Sequence, residues 1–539
     1  MKSPFKSRSQ ALSAGNSFRA LMLGGASLVL ASSLSGCVGP NYRKPDLWTP
    51  KQYDMHADLK RGGSQTTPDA PDPSWWNAFH DPELTSLETR LASQNLDIRR
   101  ATAQLAESRA QLMMAGAERF PGLSASGSYS RAQYSSKELQ YILHRVGREV
   151  GQRANNPQLG DILSTEGGRQ TIPLFNQWKS SIDAQYEVDI WGRVARQYEA
   201  AKADLQATDE ERRGVLIGQQ AEMANDYLTL RGLQEQLRIT QANRQTQADT
   251  LALAQERQRN GMVTELDVTS AQGQLDTTVA QIAQLEQRVA QQINAINLLL
   301  GAPPGTLNDE LTKTAAIPVV PPSIPVGVPS ELAHRRPDIR QAEAELHAAV
   351  ANVAEAEAEF YPKITINADF GFQSLSIRDL GFWNARAWNV GPSISLPIFQ
   401  GGRLRGQLML NRYAEKAAAV NYQKTVLSAW RDVDNALIAY RDEQNRRDGL
   451  SGAVAASQQA LHLAQDQYRH GLTTYLNVLS AQGNLLSAQM QLADSTTTIA
   501  DDLAKLYNAL GGGWETLLPE DKPERATAQQ LGGDAPRKT

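Results

Sequence analysis

The sequence is short of cysteine and of aromatic residues. It has a single cysteine, Cys37, which excludes an internal disulfide. Aromatic residues make up only 6% of the 539 positions, and the formal charge of −4 offers no basic excess for nucleic acid. Beyond the N-terminus there is no run of about 18 apolar residues, so no helix of the body is expected to cross a bilayer. The 7 histidines are scattered, and neither a H-E-x-x-H motif nor a phosphate-binding loop occurs. His462, Asp466 and His470 fall at i, i+4 and i+8 of a helical pattern, a spacing that suits a metal and equally a solvated face. No catalytic residue, metal ligand or dissociable cofactor is assigned.

What the chain does have is repetition. Leu251–Gly301 lies over Leu461–Gly511 at a constant offset of 210, with 19 of 51 positions identical. The shared core reads R-N-G-M-V-T-E-L-D-V-T-S-A-Q-G from Arg259 and R-H-G-L-T-T-Y-L-N-V-L-S-A-Q-G from Arg469. In each copy one long helical pattern arrives, breaks at a glycine (Gly261, Gly471), and another leaves. Such a period marks duplication of a half-domain. The first arriving pattern runs from Val194 to Asn260, about 100 Å of helix at 1.5 Å per residue. The return pattern carries Leu275, Val279, Ile282, Leu285 and Val289, spaced as in a coiled coil.

The N-terminus reads as a signal segment: Lys2, Lys6, Arg8 and Arg19 precede an apolar stretch that ends in L-S-G-C at Cys37. That ending resembles a bacterial lipobox, so Cys37 is the expected site of a covalent lipid. One acyl chain alone holds a protein to a membrane only marginally, so further apolar contact is required.

Four stretches alternate with period two, the mark of a strand with one wet face. They are Leu123–Ser130, Ile182–Ile190, Ile364–Gln373 and Trp388–Ile398. A soluble sheet packed on a core gives such alternation; so does a transmembrane strand, whose apolar side meets lipid. Strand length, the lipid signal and aromatics near the strand ends (Trp178, Trp191, Phe382, Trp383, Trp388, Phe399) favour the membrane. Asp183, Glu187, Asp189 and Asp369 then lie on the inward face and favour cations in the lumen. Four strands cannot close a barrel and an open edge in hydrocarbon is prohibitive, so the barrel has to be shared between chains.

The expected boundaries are a signal peptide 1–36, an extended acylated segment 37–73, and first-repeat helices 74–120. A first strand pair 121–191 includes a large external loop, and a helical hairpin 192–301 follows. A Pro-rich connector 302–336 leads to a second-repeat helix 337–361, a strand pair 362–399 and a hairpin 400–511. A tail, 512–539, ends the chain.

Together the lipobox with C-V-G-P-N-Y-R-K-P, the W-W-N-A-F-H-D-P-E-L segment and the duplicated R-x-G-x-x-x-x-L-x-V-x-S-A-Q turns resemble the TolC-like outer membrane factor family, in its NodT/OprM-like efflux lipoprotein branch. The resemblance covers nearly the whole mature chain. It implies an α+β membrane protein: a homotrimer with a 12-stranded outer-membrane β-barrel, four strands per chain, continuous with a periplasmic α-helical barrel. It also implies a passive exit duct for small molecules, fed by an inner-membrane transporter of RND type through a periplasmic adaptor protein. On that pattern the adaptor meets the hairpin tips at Arg259, Gly261, Thr264, Leu266, Arg469, Gly471, Thr474 and Leu476. Asp267 and Tyr468 match two gate positions that bond to each other in the family. Asn477 and Ser480 stand where its constriction often has acidic residues. A protein-secretion duct, a non-conducting lipid-anchored tether and the adaptor itself are the rival readings.

Overall fold

The computed structural model describes residues 38–45, 65–67, 72–133, 174–328 and 332–515, with a few isolated positions besides. The signal peptide, Cys37, most of the expected external loop and the tail beyond 515 lie outside the described residues.

The duplication is visible as equal element lengths. Helix α1 (Pro82–Gln94) is followed by α2 (Leu96–Ala117), β2 (Gly122–Ala132), β3 (Phe175–Glu187), α3 (Arg193–Arg259) and α4 (Glu265–Leu299). The second copy runs α5 (Pro337–Ala358), β5 (Lys363–Ser374), β6 (Arg386–Ser395), α6 (Arg403–Arg469) and α7 (Tyr475–Ala509). Matching helices have the same lengths, 22, 67 and 35 residues. From α2 to α5 the offset is 241, against 210 for the long helices, and the difference of 31 falls between the strands. There the first copy has 42 residues (133–174) and the second 11 (375–385).

By contacts the chain divides into two units. The first holds 112–200 and 350–412 with the short segment 38–41; the second holds 42–111, 201–349 and the chain from 413.

The first unit contains one antiparallel sheet in the order β2-β3-β5-β6. Its register keeps like with like: Leu123, Ala184, Ala368 and Val390 share a row, and so do Ala125, Ile182, Phe370 and Trp388. The opposite face holds Ser124, Asp183, Asp369 and Asn389 in one row. Because side chains alternate, a slip of one residue in any pairing would turn the apolar set to the wrong side. Ile182, Phe370, Trp388, Val390 and Ile394 stay exposed on this sheet, so its apolar side has no protein core against it. Trp191 differs from the other strand-end aromatics: its ring stacks on Tyr361 at 4.8 Å and its Nε1–H donates to Pro362 O (2.9 Å).

In the second unit α1 starts on Asp81, whose carboxylate accepts the N–H groups of Glu83 (2.9 Å) and Leu84 (3.2 Å). Its Leu84, Leu87 and Leu91, on one helical stripe, are fully buried. Asn95 caps α2 in the same way and donates through Nδ2 to Leu299 O (2.9 Å), fastening the end of α4. At the equivalent place in the second copy Arg336 Nη1 donates to Ala509 O (2.9 Å), so a different side chain makes the same tie. Two short strands that the proline-rich composition did not signal, β1 (Gln65–Thr67) and β4 (Ser323–Pro325), pair in parallel. Just past α7, Trp514 is clasped between Arg213 and Arg340, whose guanidinium carbons lie 4.6 and 5.4 Å from its ring.

Gly371, opposite Ser181 in the β3–β5 ladder, has no room for a side chain: an added Cβ would lie 2.0 Å from Ser180 O and 2.6 Å from Ser181 Cα. Gly371→Val is expected to force β5 from β3 at a cost of about 1–3 kcal/mol or more. Strongly reduced recovery of folded protein from membranes checks it.

Candidate functional site

Both hairpin tips are built by the same backbone device. Gly261 (φ 71°) and Gly471 (φ 75°) adopt the left-handed conformation that ends a helix. Met262 N–H donates to Arg257 O and Leu472 N–H to Gln467 O, both at 2.9 Å. Gly261 N–H donates to Gln258 O and Gly471 N–H to Tyr468 O. The carbonyls that the last helical turn would orphan are thereby satisfied. Thr264 and Thr474 then start α4 and α7 from extended backbone. Leu266 and Leu476 project outward, 72% and 69% exposed, with Met262 and Leu472 equally bare.

Behind the turns the hairpins share an apolar core. Leu251 and Leu461, Val268 and Val478, Ala271 and Ala481, and Leu275 and Leu485 are pairs of equivalent positions in it. The duplication thus contributes the same residues from both sides.

The symmetry is broken at several positions: the buried Tyr468 and Tyr475 correspond to Gln258 and Glu265 of the first copy, and one further side chain ties the two helices together. Arg257, whose counterpart is Gln467, donates from Nη1 to Tyr468 O and to Arg469 O (3.1 Å). Its guanidinium carbon also lies 4.8 Å from the centre of the Tyr468 ring. A cation from α3 therefore caps the carbonyl end of α6, where the helix dipole is negative. Tyr468 packs edge-on against Tyr475 at 5.9 Å, and both are buried.

The Asp267–Tyr468 bond implied by the resemblance is not made within the chain. The Tyr468 hydroxyl is buried without a hydrogen-bond partner. Burial first, and then the nearby Asp267 charge, push its pKa up. Asn477 Nδ2 donates to Thr473 Oγ1 (2.6 Å) inside the turn, and Ser480 faces outward. Arg259 Nε approaches Gln255 O at 3.4 Å, and Arg469 lies 3.8 Å from Asp466. His462 Nδ1 is 3.7 Å from Asp466 Oδ2, while His470 Nδ1 pairs with Asp466 O (2.8 Å), so the three side chains do not converge on a common point.

The strand acids divide into two groups. Asp183 faces Asp369 directly across β3 and β5 and accepts from Ser126 Oγ (2.9 Å) and Ser181 Oγ (3.1 Å). Glu187, also expected as an open charge, is instead gripped by the Arg193 fork at 2.9 and 2.9 Å and by Lys363 at 2.7 Å. Asp189 lies beyond the end of β3, and its Oδ2 accepts the Ala195 N–H (2.7 Å) in the first turn of α3. Its expected place on the strand face is corrected: the alternation runs on past the strand, and the carboxylate serves a helix N-terminus. Arg257 was missed because its role shows only as a mismatch between the two copies.

A two-faced four-stranded sheet with unpaired outer strands, joined by its own chain to twin long hairpins, defines a duplicated membrane protein of strands and helices. The chain belongs to the outer membrane efflux protein family, whose model matches residues 88–302 and 328–512, the two repeats. The solvent efflux pump outer membrane protein SrpC of Pseudomonas putida is 30% identical over 498 residues, 92% of this chain and 97% of its own. The probable outer membrane lipoprotein SilC of Salmonella typhimurium is 28% identical over 484 residues, 89% and 96% of the two chains. The solved structure of the outer-membrane channel OprN superposes with a TM-score of 0.79 at 29% identity, covering 89% of this chain and 100% of that one. This chain is accordingly an outer membrane efflux component.

Removing the Arg257 cap is expected to cost about 1.5–3 kcal/mol. Arg257→Ala therefore accelerates amide exchange over residues 466–472, whereas Tyr468→Phe, which deletes a hydroxyl without a partner, leaves it unchanged. Hydrogen exchange with mass spectrometry measures both.

Proposed function

We propose that three copies of this chain assemble into the exit duct of a tripartite efflux system. In it β6 of each copy pairs with β2 of the next, and small molecules are conducted passively to the outside. The observation that carries this reading is the sheet itself: one face is mainly apolar and the other polar, yet β2 and β6 each have only one partner strand. In hydrocarbon those free edges demand further strands, and three chains of four make twelve.

Cys37 carries the lipid in this reading. Val38, its neighbour, donates its N–H to Trp191 O (3.0 Å) just past the helix-side end of β3, which suits an acyl chain in the inner leaflet. The bare apolar residues of the tip turns (Met262, Leu266, Leu472, Leu476) are the docking surface for a periplasmic adaptor protein. Energy comes from an inner-membrane transporter of RND type, and the duct performs no catalysis. The Arg257–Tyr468 fastening holds the tip closed at rest, with Asp267 beside it. Asp183 and Asp369 set a negative lumen. The names of the relatives favour small toxic compounds over secreted proteins as cargo.

Purified protein in planar bilayers is expected to show discrete conductance steps, and Arg257→Ala to raise the resting conductance by about ten- to a hundred-fold, the equivalent of the lost cap. Absence of conductance from both the wild type and Arg257→Ala would mark a tether and end this reading. Deleting the gene and testing a panel of antibiotics, solvents and metals identifies the cargo.

A further inference from the structure

The apolar face of the sheet is uncharged except at one end. Its described positions along β2 and β3 are Leu123 to Arg131 and Asn176 to Tyr186, taken in alternation; along β5 and β6 they are Ile364 to Ser374 and Arg386 to Ile394. Arg131 and Arg386 are the charged residues among these, and no carboxylate accompanies them on that face. Both are exposed, and both stand on the outermost strands, β2 and β6, at the ends away from the helices.

Arg131 stands one row from an aromatic pair, and Arg386 touches an aromatic ring. Tyr129 lies against Trp178 at 4.4 Å and donates its hydroxyl to Asn176 Oδ1 (3.0 Å), one row below Arg131. Arg386 is pre-positioned: Nη1 donates to Trp383 O (2.9 Å) and the guanidinium carbon lies 4.8 Å from the Trp383 ring. Trp383 and Trp388 beside it are 65% and 67% exposed. Four of the five guanidinium N–H donors of Arg386 remain free of that tie.

A cation on a lipid-facing strand is costly at the bilayer centre and nearly free at the interface. There a guanidinium forks onto phosphate oxygens while aromatic rings bury in the acyl boundary. The helix-side end of the same face offers Tyr186, Ile364 and Ile394 and no cation, so it has nothing for the phosphates of the opposite leaflet.

We infer that Arg131 and Arg386, each on its own edge strand, are docking points for the phosphorylated headgroups of outer-leaflet glycolipids of the lipid A type, with acyl chains beside Arg386 lying against Phe370, Trp388 and Val390. The inference rests on the reading that the four strands span the outer membrane. It goes beyond that reading by assigning a specific lipid to one end of the sheet.

The test uses the full-length protein in nanodiscs, with diphosphoryl lipid A and phosphatidylglycerol as separate probes and retention through delipidation read by native mass spectrometry. Wild-type protein is expected to retain lipid A about ten-fold more strongly than phosphatidylglycerol. Arg131→Gln with Arg386→Gln should remove that preference while conductance persists. Equal retention of the two lipids by wild-type protein, or an unchanged preference in the variant, overturns the site. Should the glutamine pair fail to insert, Arg131→Lys with Arg386→Lys is read instead. It keeps the charge and loses the fork, so lower lipid A retention supports the site and wild-type retention overturns it. Loss of conductance in the wild-type protein would instead strike the membrane-spanning reading, so the two failures are distinguishable.

Discussion

A backbone N–H or C=O without a partner in hydrocarbon costs several kcal/mol, and this chain exposes a row of them along β2 and another along β6. The organisation of the strand region follows from that deficit. The sheet is fully registered, its sides are chemically sorted, and its apolar side meets no core of its own. A soluble protein would have covered that side with helices. Here each 67-residue helix starts only after its own strand pair has ended, and the apolar side stays bare.

The helical hairpins answer a different constraint. A 67-residue helix gains little from propensity and must pack along its length. Duplication provides the partner, because equivalent residues such as Leu251 and Leu461 meet in one core. Polar contacts add to the apolar packing, as where Gln482 Nε2 donates to Thr250 Oγ1 (3.1 Å). Arg257 adds a directional contact, placing a cation on the carbonyl end of α6. Gln467 at the equivalent position carries no charge to do the same.

Much of this was legible in the residues. Period-two alternation located all four strands, and the one-glycine breaks placed both tips, because each signal is dictated locally by backbone geometry. The 67-residue length of α3 could be read from its uninterrupted pattern to within a residue at each end. What was not legible depends on partners distant in sequence. Asp189 looked like one more inward strand charge until the ladder ended two residues before it. Glu187 looked open until Arg193 and Lys363 closed on it. The clasp of Trp514 by Arg213 and Arg340, and the pairing of β1 with β4, join segments separated by more than a hundred residues and carry no local pattern.

The shared barrel is tested most directly by disulfide trapping between the outer strands. Within one chain β2 and β6 are three strand spacings apart, about 14 Å, beyond the roughly 7 Å Cα separation that a disulfide tolerates. Cysteines placed at Ser124, Ser126 or Ser128 of β2 and at Asn389, Gly391 or Ser393 of β6 can therefore join only different copies. The account predicts covalent dimers and trimers on oxidation in at least one register. Monomers alone in every register would contradict it.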